Sequence, residues 1–254
     1  MSFEACAGIV ERGDPERFLA IMAGPVEARR ILFPIIAFNV EVSRAPWVTQ
    51  EPMIAEMRLQ WWRDALEEIA EGRLVRAHEV TTPLAEVLTP KQARDLDRLV
   101  AERRWDIYAD PFEDAAHFEE YLTATAANLL VTCAQALGDA SAEVVRGFGW
   151  GVGLANWLRA VPELEARGKV PMVDGRPEAV RLLAERGIAL IREARARRAA
   201  VSAKSSPAML MGWKAEPVLQ AAARHPEAVV QGALDPSPAR AKLSLMVKSA
   251  TARW

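Results

Sequence analysis

Apolar residues recur at three- and four-residue steps along nearly the whole chain, and alternating β-branched runs bounded by turn residues are scarce. This periodicity predicts an all-α protein. Helices are expected over about 14–23, 26–45, 51–72, 79–88, 90–109, 114–137, 141–164, 176–203, 208–223, 225–234 and 238–251. Proline is tolerated in a helix's first turn, so Asp14-Pro15, Thr89-Pro90, Asp110-Pro111, Arg176-Pro177, Ser206-Pro207 and Ser237-Pro238 mark starts. Gly72, Gly138 and Gly168 mark stops of the left-handed type. No repeat of fixed period or low-complexity linker divides the 254 residues, which suffice to bury a sizeable core. One helical domain over 1–254 is expected.

Two helices stand out. The stretch Arg29 to Arg44 is apolar nearly all round before it turns polar, the pattern of an interior helix, with Asn39 and Glu41 facing packed surroundings and Pro34 removing one backbone donor. In the next helix Ile54, Met57, Trp61, Ala65 and Leu66 form the expected inward stripe, with Trp62 and Ile69 along its edge. Arg58 falls on that stripe. A buried guanidinium needs a partner, for which Glu41 is the nearest candidate. The alternative is that Arg58 snorkels out past Trp62.

Charge narrows the function. A formal charge of −2 and a pI near 6.0 lack the basic excess of a general nucleic-acid binder. Cys6 and Cys133 form no C-x-x-C pair, which fits a reducing compartment, the cytoplasm by default. Met1 to Asp14 carries acids and lacks the basic start and apolar core of a secretory signal. The longest apolar stretch, Ile31 to Val42, is roughly half a membrane span. The arginine-rich run from Arg192 to Arg198 reads either as a solvated helix face or as a docking surface for a partner or an anionic membrane.

Two blocks carry a resemblance. Ala37-Phe38-Asn39-Val40-Glu41-Val42-Ser43-Arg44, followed by Met57-Arg58-Leu59-Gln60-Trp61-Trp62-Arg63-Asp64-Ala65-Leu66, resembles the opening block of the squalene/phytoene synthase family, A-F-C-R-x-V-D-D and then R-L-x-W-W-R-D-x-L. Gly153 to Leu164 and then Arg167-Gly168-Lys169-Val170-Pro171 resembles that family's L-x-N-I-L-R-D-V-x-E-D…R-G-R-x-Y-x-P. Tyr121 to Leu130 sits where the family has its Y-C-x-x-V-A-G-x-V-G helix. The match runs from about Asp14 to Met172. It implies an isoprenoid-synthase-like helical bundle around a central cavity.

The departures matter more than the matches. Family enzymes ionise an allylic diphosphate, and magnesium held by carboxylates on two facing helices neutralises the leaving pyrophosphate. Here the first block's aspartate pair is Ser43-Arg44, and the second block's aspartates are Ala160 and Leu164. Glu41 and Glu163 are the acids that remain. The alignment instead brings Arg44, Arg58, Arg159, Arg167 and Lys169 to the former metal region, where they either bind an anion such as a diphosphate or acidic lipid headgroup or form structural salt bridges. Asn39, Glu41, Arg44, Arg58, Asp106, Asn156, Arg159, Glu163, Arg167 and Lys169 are therefore cavity- or ligand-lining candidates, with no catalytic residue and no metal ligand assigned. The pattern is similar to the family's non-synthase branch, which includes a mitochondrial respiratory complex I assembly factor. That likeness implies a protein client or an isoprenoid or lipid-like ligand, with peripheral membrane contact, no nucleic acid and no cofactor. The alternative is a prenyl-diphosphate transferase with an unconventional site, and only then does magnesium enter.

Other motifs carry less. Gly147, Gly149, Gly151 and Gly153 lack the preceding strand and spacing of a dinucleotide loop, and read as a close helix contact. His78, His117 and His225 are scattered, and no G-x-S-x-G elbow exists. Asp106 either lines the cavity or pairs with Arg103 at i,i+3. Trp61, Trp62, Trp105, Trp150 and Trp157 line a remnant cavity or are core.

Overall fold

A computed structural model describes residues 3–254. In chain order its helices are α1 (Phe3–Gly13), α2 (Pro15–Met22), α3 (Val26–Arg44), α4 (Pro52–Ala70), α5 (Thr81–Val87), α6 (Pro90–Glu102), α7 (Ala115–Leu122), α8 (Asn128–Leu137), α9 (Ala142–Ala166), α10 (Pro177–Ala196), α11 (Ser206–Met209), α12 (Ala215–Arg224) and α13 (Pro238–Ala250). Among the described residues there is no strand, and an antiparallel bridge joins Ala140 to Val201. The chain falls into two compact units. The first gathers residues up to Tyr108 with Thr132–Asp139 and Ser202–Met211, and the second Ala109–Val131, Ala140–Val201 and Gly212–Trp254.

The first unit is organised by α3. Its all-round apolar sequence is enclosed as expected, every residue from Leu32 to Val40 being buried. α1, α2 and α5 pack against it. Phe18 and Phe3 set their rings against Phe33 at 5.5 and 5.6 Å, and at Gly13 any Cβ would lie 2.4 Å from Val40 Cγ1. α4 runs along α6, fastened by Arg63, whose Nε and Nη2 donate to the Asp97 carboxylate at 2.8 and 3.1 Å.

The inward stripe of α4 differs from the expected one. Ala55, Leu59, Trp62, Ala65, Leu66 and Ile69 are buried, whereas Ile54, Met57 and Arg58 are exposed and Trp61 is half-buried. Trp62 takes the inner position because its ring meets Phe38 edge to face at 5.4 Å. Two of the expected starts carry side-chain caps. Asp14 accepts from the Arg17 N–H at 2.9 Å, and Thr89 with Gln92 forms a capping box. Asp110-Pro111 lies outside a helix, since Asp114 caps α7 by accepting from the His117 N–H at 2.8 Å. Gly72 and Gly168 adopt the left-handed conformation (φ +66° and +78°). Gly138 does not. It ends α8 because Ser202, Lys204 and Ser205 approach within 3.2–3.3 Å of where a Cβ would stand.

The second unit is built on α9, with α10 and α12 against it. The alternate glycines of α9 are contact points on two sides. A Cβ at Gly149 would meet Ala127 Cα at 2.9 Å, and one at Gly153 would meet Ala126 Cβ at 2.5 Å. On the other side, a Cβ at Gly151 would lie 2.9 Å from the Gly187 carbonyl of α10. Opposite Gly149 and Gly153, the expected 114–137 helix widens into a π turn over Thr123–Ala127. Thr125 Oγ1 donates to the Tyr121 carbonyl at 2.6 Å, competing for an acceptor that an α turn would use.

Four expected helices are shorter or broken, and that of 90–109 ends at Glu102, passing into a 3₁₀ turn over Arg103–Asp106. The 176–203 helix stops at Ala196, because Ser141 N–H takes the Ala200 carbonyl at 2.9 Å and Val201 turns inward to bridge Ala140. The 208–223 segment is interrupted between α11 and α12 by a 3₁₀ turn over Leu210–Gly212. The expected 225–234 helix is only a 3₁₀ turn over Pro226–Ala228, and Gly232 (φ +66°) then redirects the chain to bury Leu234.

This packing sets opposite signs for two neighbouring substitutions. Glycine costs a helix about 1 kcal/mol relative to alanine, so Gly147→Ala, whose nearest neighbour would be 3.9 Å away, is expected to raise stability. Gly149→Ala pushes a methyl into the backbone of Ala127 and is expected to lower it by about 1–3 kcal/mol. Urea unfolding of both variants checks the pair of signs.

Candidate functional site

In the first unit the last turns of α3 carry the first block. Asn39 is 4% exposed, and its Oδ1 has no hydrogen-bond partner among the described residues. Ser43 Oγ donates to the Val40 carbonyl of its own helix at 3.0 Å, which uses the hydroxyl locally. Glu41 is half-buried and lies 3.7 Å from Arg44 Nη1, one turn on, so it pairs with Arg44 and not with the expected Arg58. Arg58 is exposed and forms no ion pair among the described residues, because the inner positions of its helix are those of Leu59 and Trp62.

Asp106 is 3% exposed, and Arg103 Nη1 donates to its Oδ2 at 3.0 Å. The i,i+3 pair anticipated on a helix surface is thus present, but it is buried. Nearby, Glu56 accepts from Arg104 Nε at 2.7 Å and from the Tyr108 hydroxyl at 3.1 Å. A groove of about 360 Å³ lies between α4 and α6, lined by Arg63, Asp64, Glu67, Arg94 and Asp97 among others, and holds none of the residues expected in the site.

In the second unit the end of α9 and the following loop carry the second block. Asn156 is exposed, Ala160 is half-buried and Leu164 is buried, so neither former aspartate position offers an oxygen. Glu163 accepts from Arg167 Nη2 at 2.5 Å. Arg159 meets Asp235 at two points, Nε 2.9 Å from Oδ1 and Nη2 donating to Oδ2 at 3.1 Å. Lys214 reaches the same carboxylate at 3.9 Å. Lys169 is 7% exposed. Trp157 Nε1 donates to the Pro171 carbonyl at 3.0 Å, which pins the loop after α9, while its ring packs among Phe112, Phe118 and Tyr121 at 5.1–5.7 Å. Trp157 and Trp62 are therefore core. Asp235 pairs with Arg159 across 76 residues, a separation that leaves no periodic signal in the sequence.

The donor set does not fit a magnesium cluster. Glu41 and Glu163 are the carboxylates left in the two former aspartate stretches, and each sits beside an arginine of its own helix end. No group of three or more His, Cys, Asp or Glu side chains converges among the described residues. Octahedral magnesium ions need several hard oxygens, and serine, arginine, alanine and leucine supply almost none. Of the basic residues nearby, Arg159 is paired with Asp235 and Arg167 with Glu163.

Both cysteine thiols are held protonated. Burial, with the Glu79 charge, pushes the Cys6 thiol up to about 12, and burial does the same to Cys133. His78 packs against Trp61 and Trp62 at 5.1 and 5.5 Å, and His117 Nδ1 accepts from the Glu113 N–H at 3.3 Å. Most of the arginine-rich run is occupied. Arg192 and Arg195 both bond Glu216, and Arg197 holds Glu143 at 2.6 Å. Burial works against the Glu216 charge, yet these arginines hold its carboxyl below the usual range. The solvated, ion-paired face is the reading that holds for these three.

Comparison with solved structures defines the class. The chain superposes on a dehydrosqualene synthase with a TM-score of 0.76 at 16% identity, over 98% of this chain and 95% of that one. It superposes on squalene synthase HpnC from Alicyclobacillus acidocaldarius with a TM-score of 0.71 at 17% identity, over 92% and 95%. The fold is the all-α isoprenoid-synthase fold. Residues 10–172 match the squalene/phytoene synthase family model, and the chain belongs to that family. Its similar sequences include the NADH dehydrogenase (ubiquinone) complex I assembly factor 6 homolog of Drosophila melanogaster, 33% identical over 177 residues, 66% of this chain and 53% of that protein. Complex I assembly factor 6 of Homo sapiens is 26% identical over 180 residues, 65% of this chain and 51% of that protein. The chain spans about half the length of these relatives.

Removing one partner of a buried ion pair leaves a charge uncompensated. Asp106→Ala is therefore expected to lower stability by about 3–5 kcal/mol, whereas Glu163→Ala, which frees only an exposed pair, changes it by about 1 kcal/mol or less. Chemical denaturation distinguishes the two.

Proposed function

We propose that the chain is a non-catalytic member of the squalene/phytoene synthase family that acts in assembly of a respiratory complex of the complex I type, by binding a protein client. The observation that carries this reading is the replacement of the family's acid positions by Ser43, Arg44, Ala160 and Leu164. The similarity to assembly factors of fly and human supports it, since those relatives bear that role in their names. A residual cavity that takes an isoprenoid or lipid-like ligand belongs to the same proposal. The working location is the cytoplasm, in peripheral contact with a membrane. No helix of the described chain is long and apolar enough to cross one.

Incubation with farnesyl or geranylgeranyl diphosphate and magnesium is expected to release no pyrophosphate above the enzyme-free rate. Steady turnover would overturn the reading in favour of a transferase with an unconventional site. In cells deleted for this chain, assembled NADH dehydrogenase in the membrane is expected to fall. Both the wild type and a Glu41→Gln/Glu163→Gln variant should restore it. Restoration by the wild type alone would mean that the two remaining acids hold a functional metal.

A further inference from the structure

The C-terminal helix α13 has two faces of different character. Ala241 and Leu245 are buried and form its inner face. Directly opposite, Leu243, Met246, Val247 and Ala250 follow one another at steps of three, one and three residues and form an outward ridge. Leu243 is 61% exposed, Met246 67% and Val247 54%. A helix of a water-soluble surface ordinarily points polar residues outward, so this face is inverted.

Charge frames the ridge. At 100° per residue Arg240 lies along one edge of it and Lys242 along the other, and Arg253 follows in the terminal turn. All three are exposed, and none forms an ion pair among the described residues. From Pro236 to Trp254 the sequence holds no acidic side chain. Lys248 is not counted with them, because it sits half-buried toward Arg195. The helix end is anchored. Arg195 Nε donates to the Trp254 carbonyl at 2.7 Å, and the Trp254 ring packs edge to face on Phe148 at 4.9 Å. Thr251 Oγ1 donates to the Val247 carbonyl at 2.7 Å.

A convex apolar ridge with cations on both flanks suits a helix lying in a bilayer interface, with side chains inserted among acyl chains and the basic groups level with the headgroups. An amphipathic helix of a protein partner docks into a groove, whereas Leu243, Met246 and Val247, each more than half exposed, project from the surface. A second copy would bring the same cations against each other. We propose that the outward face of α13 is a docking surface for an anionic phospholipid bilayer. This assigns the peripheral membrane contact of the proposed function to one element, and it rests on that part of the reading.

The full chain is tested by flotation with vesicles of phosphatidylcholine alone and of phosphatidylcholine with equimolar phosphatidylglycerol. The wild type is expected to float with the anionic vesicles and not with the neutral ones, and concentrated sodium chloride should weaken the binding. Arg240→Gln/Lys242→Gln should weaken it at least about tenfold, and Leu243→Ser/Met246→Ser should abolish it. Met53→Ser/Met57→Ser, at exposed apolar positions of α4, should leave it unchanged. All these substitutions are at exposed positions, and unaltered melting temperatures verify folding. Absence of wild-type binding to anionic vesicles would overturn both the surface and the peripheral membrane contact. Binding that survives both α13 variants, or that is lost in the α4 variant, would overturn only the assignment to α13. A dimer that the Leu243→Ser/Met246→Ser variant converts to monomer, with no vesicle binding, would give the face to a second copy and overturn the proposal.

Discussion

A divalent cation is held by oxygens that carry negative charge and are free to turn toward it, and a helix supplies several only by repeating acids one turn apart. In this chain that repeat is broken on both helices that bear the family's blocks. α3 ends in Ser43 and Arg44, and α9 carries Ala160 and Leu164. The half-exposed pair Glu41–Arg44 and the exposed pair Glu163–Arg167 are individually weak and would yield to a strong competitor. Number decides the matter. One carboxylate per former aspartate stretch anchors at most a single ion, whereas diphosphate ionisation in the family relies on a cluster.

The fold of this chain does not depend on acids at those positions. α3 is held by apolar burial from Leu32 to Val40, and α9 by glycine contacts with the π turn and with α10. The buried polar groups that do bear on stability, Asp106 with Arg103, lie apart in sequence from both aspartate positions. A scaffold of this kind can exchange its metal-binding surface for basic and apolar side chains while its helices keep their places.

The helices were legible where one residue pattern decided them. The enclosed α3, the caps at Asp14 and Thr89, and the left-handed stops at Gly72 and Gly168 follow from local sequence. Misreadings arose where a distant contact overruled the local pattern. The bridge at Val201 shortened α10, and Phe38 drew Trp62 rather than Trp61 to the inner face of α4. That last shift of one position moved Arg58 to the surface and left Arg44 as the partner of Glu41. In the second block, Asp235 had no signal as the partner of Arg159, because an ion pair across 76 residues leaves no periodic trace.

The most direct test is a count of metal ions. Manganese stands in for magnesium and its free form is read by electron paramagnetic resonance, so the chain can be titrated in the presence of methylene bisphosphonate. The account predicts a free-ion signal equal to that with bisphosphonate alone. Uptake of more than one ion per chain, abolished by Glu41→Gln/Glu163→Gln, would contradict it.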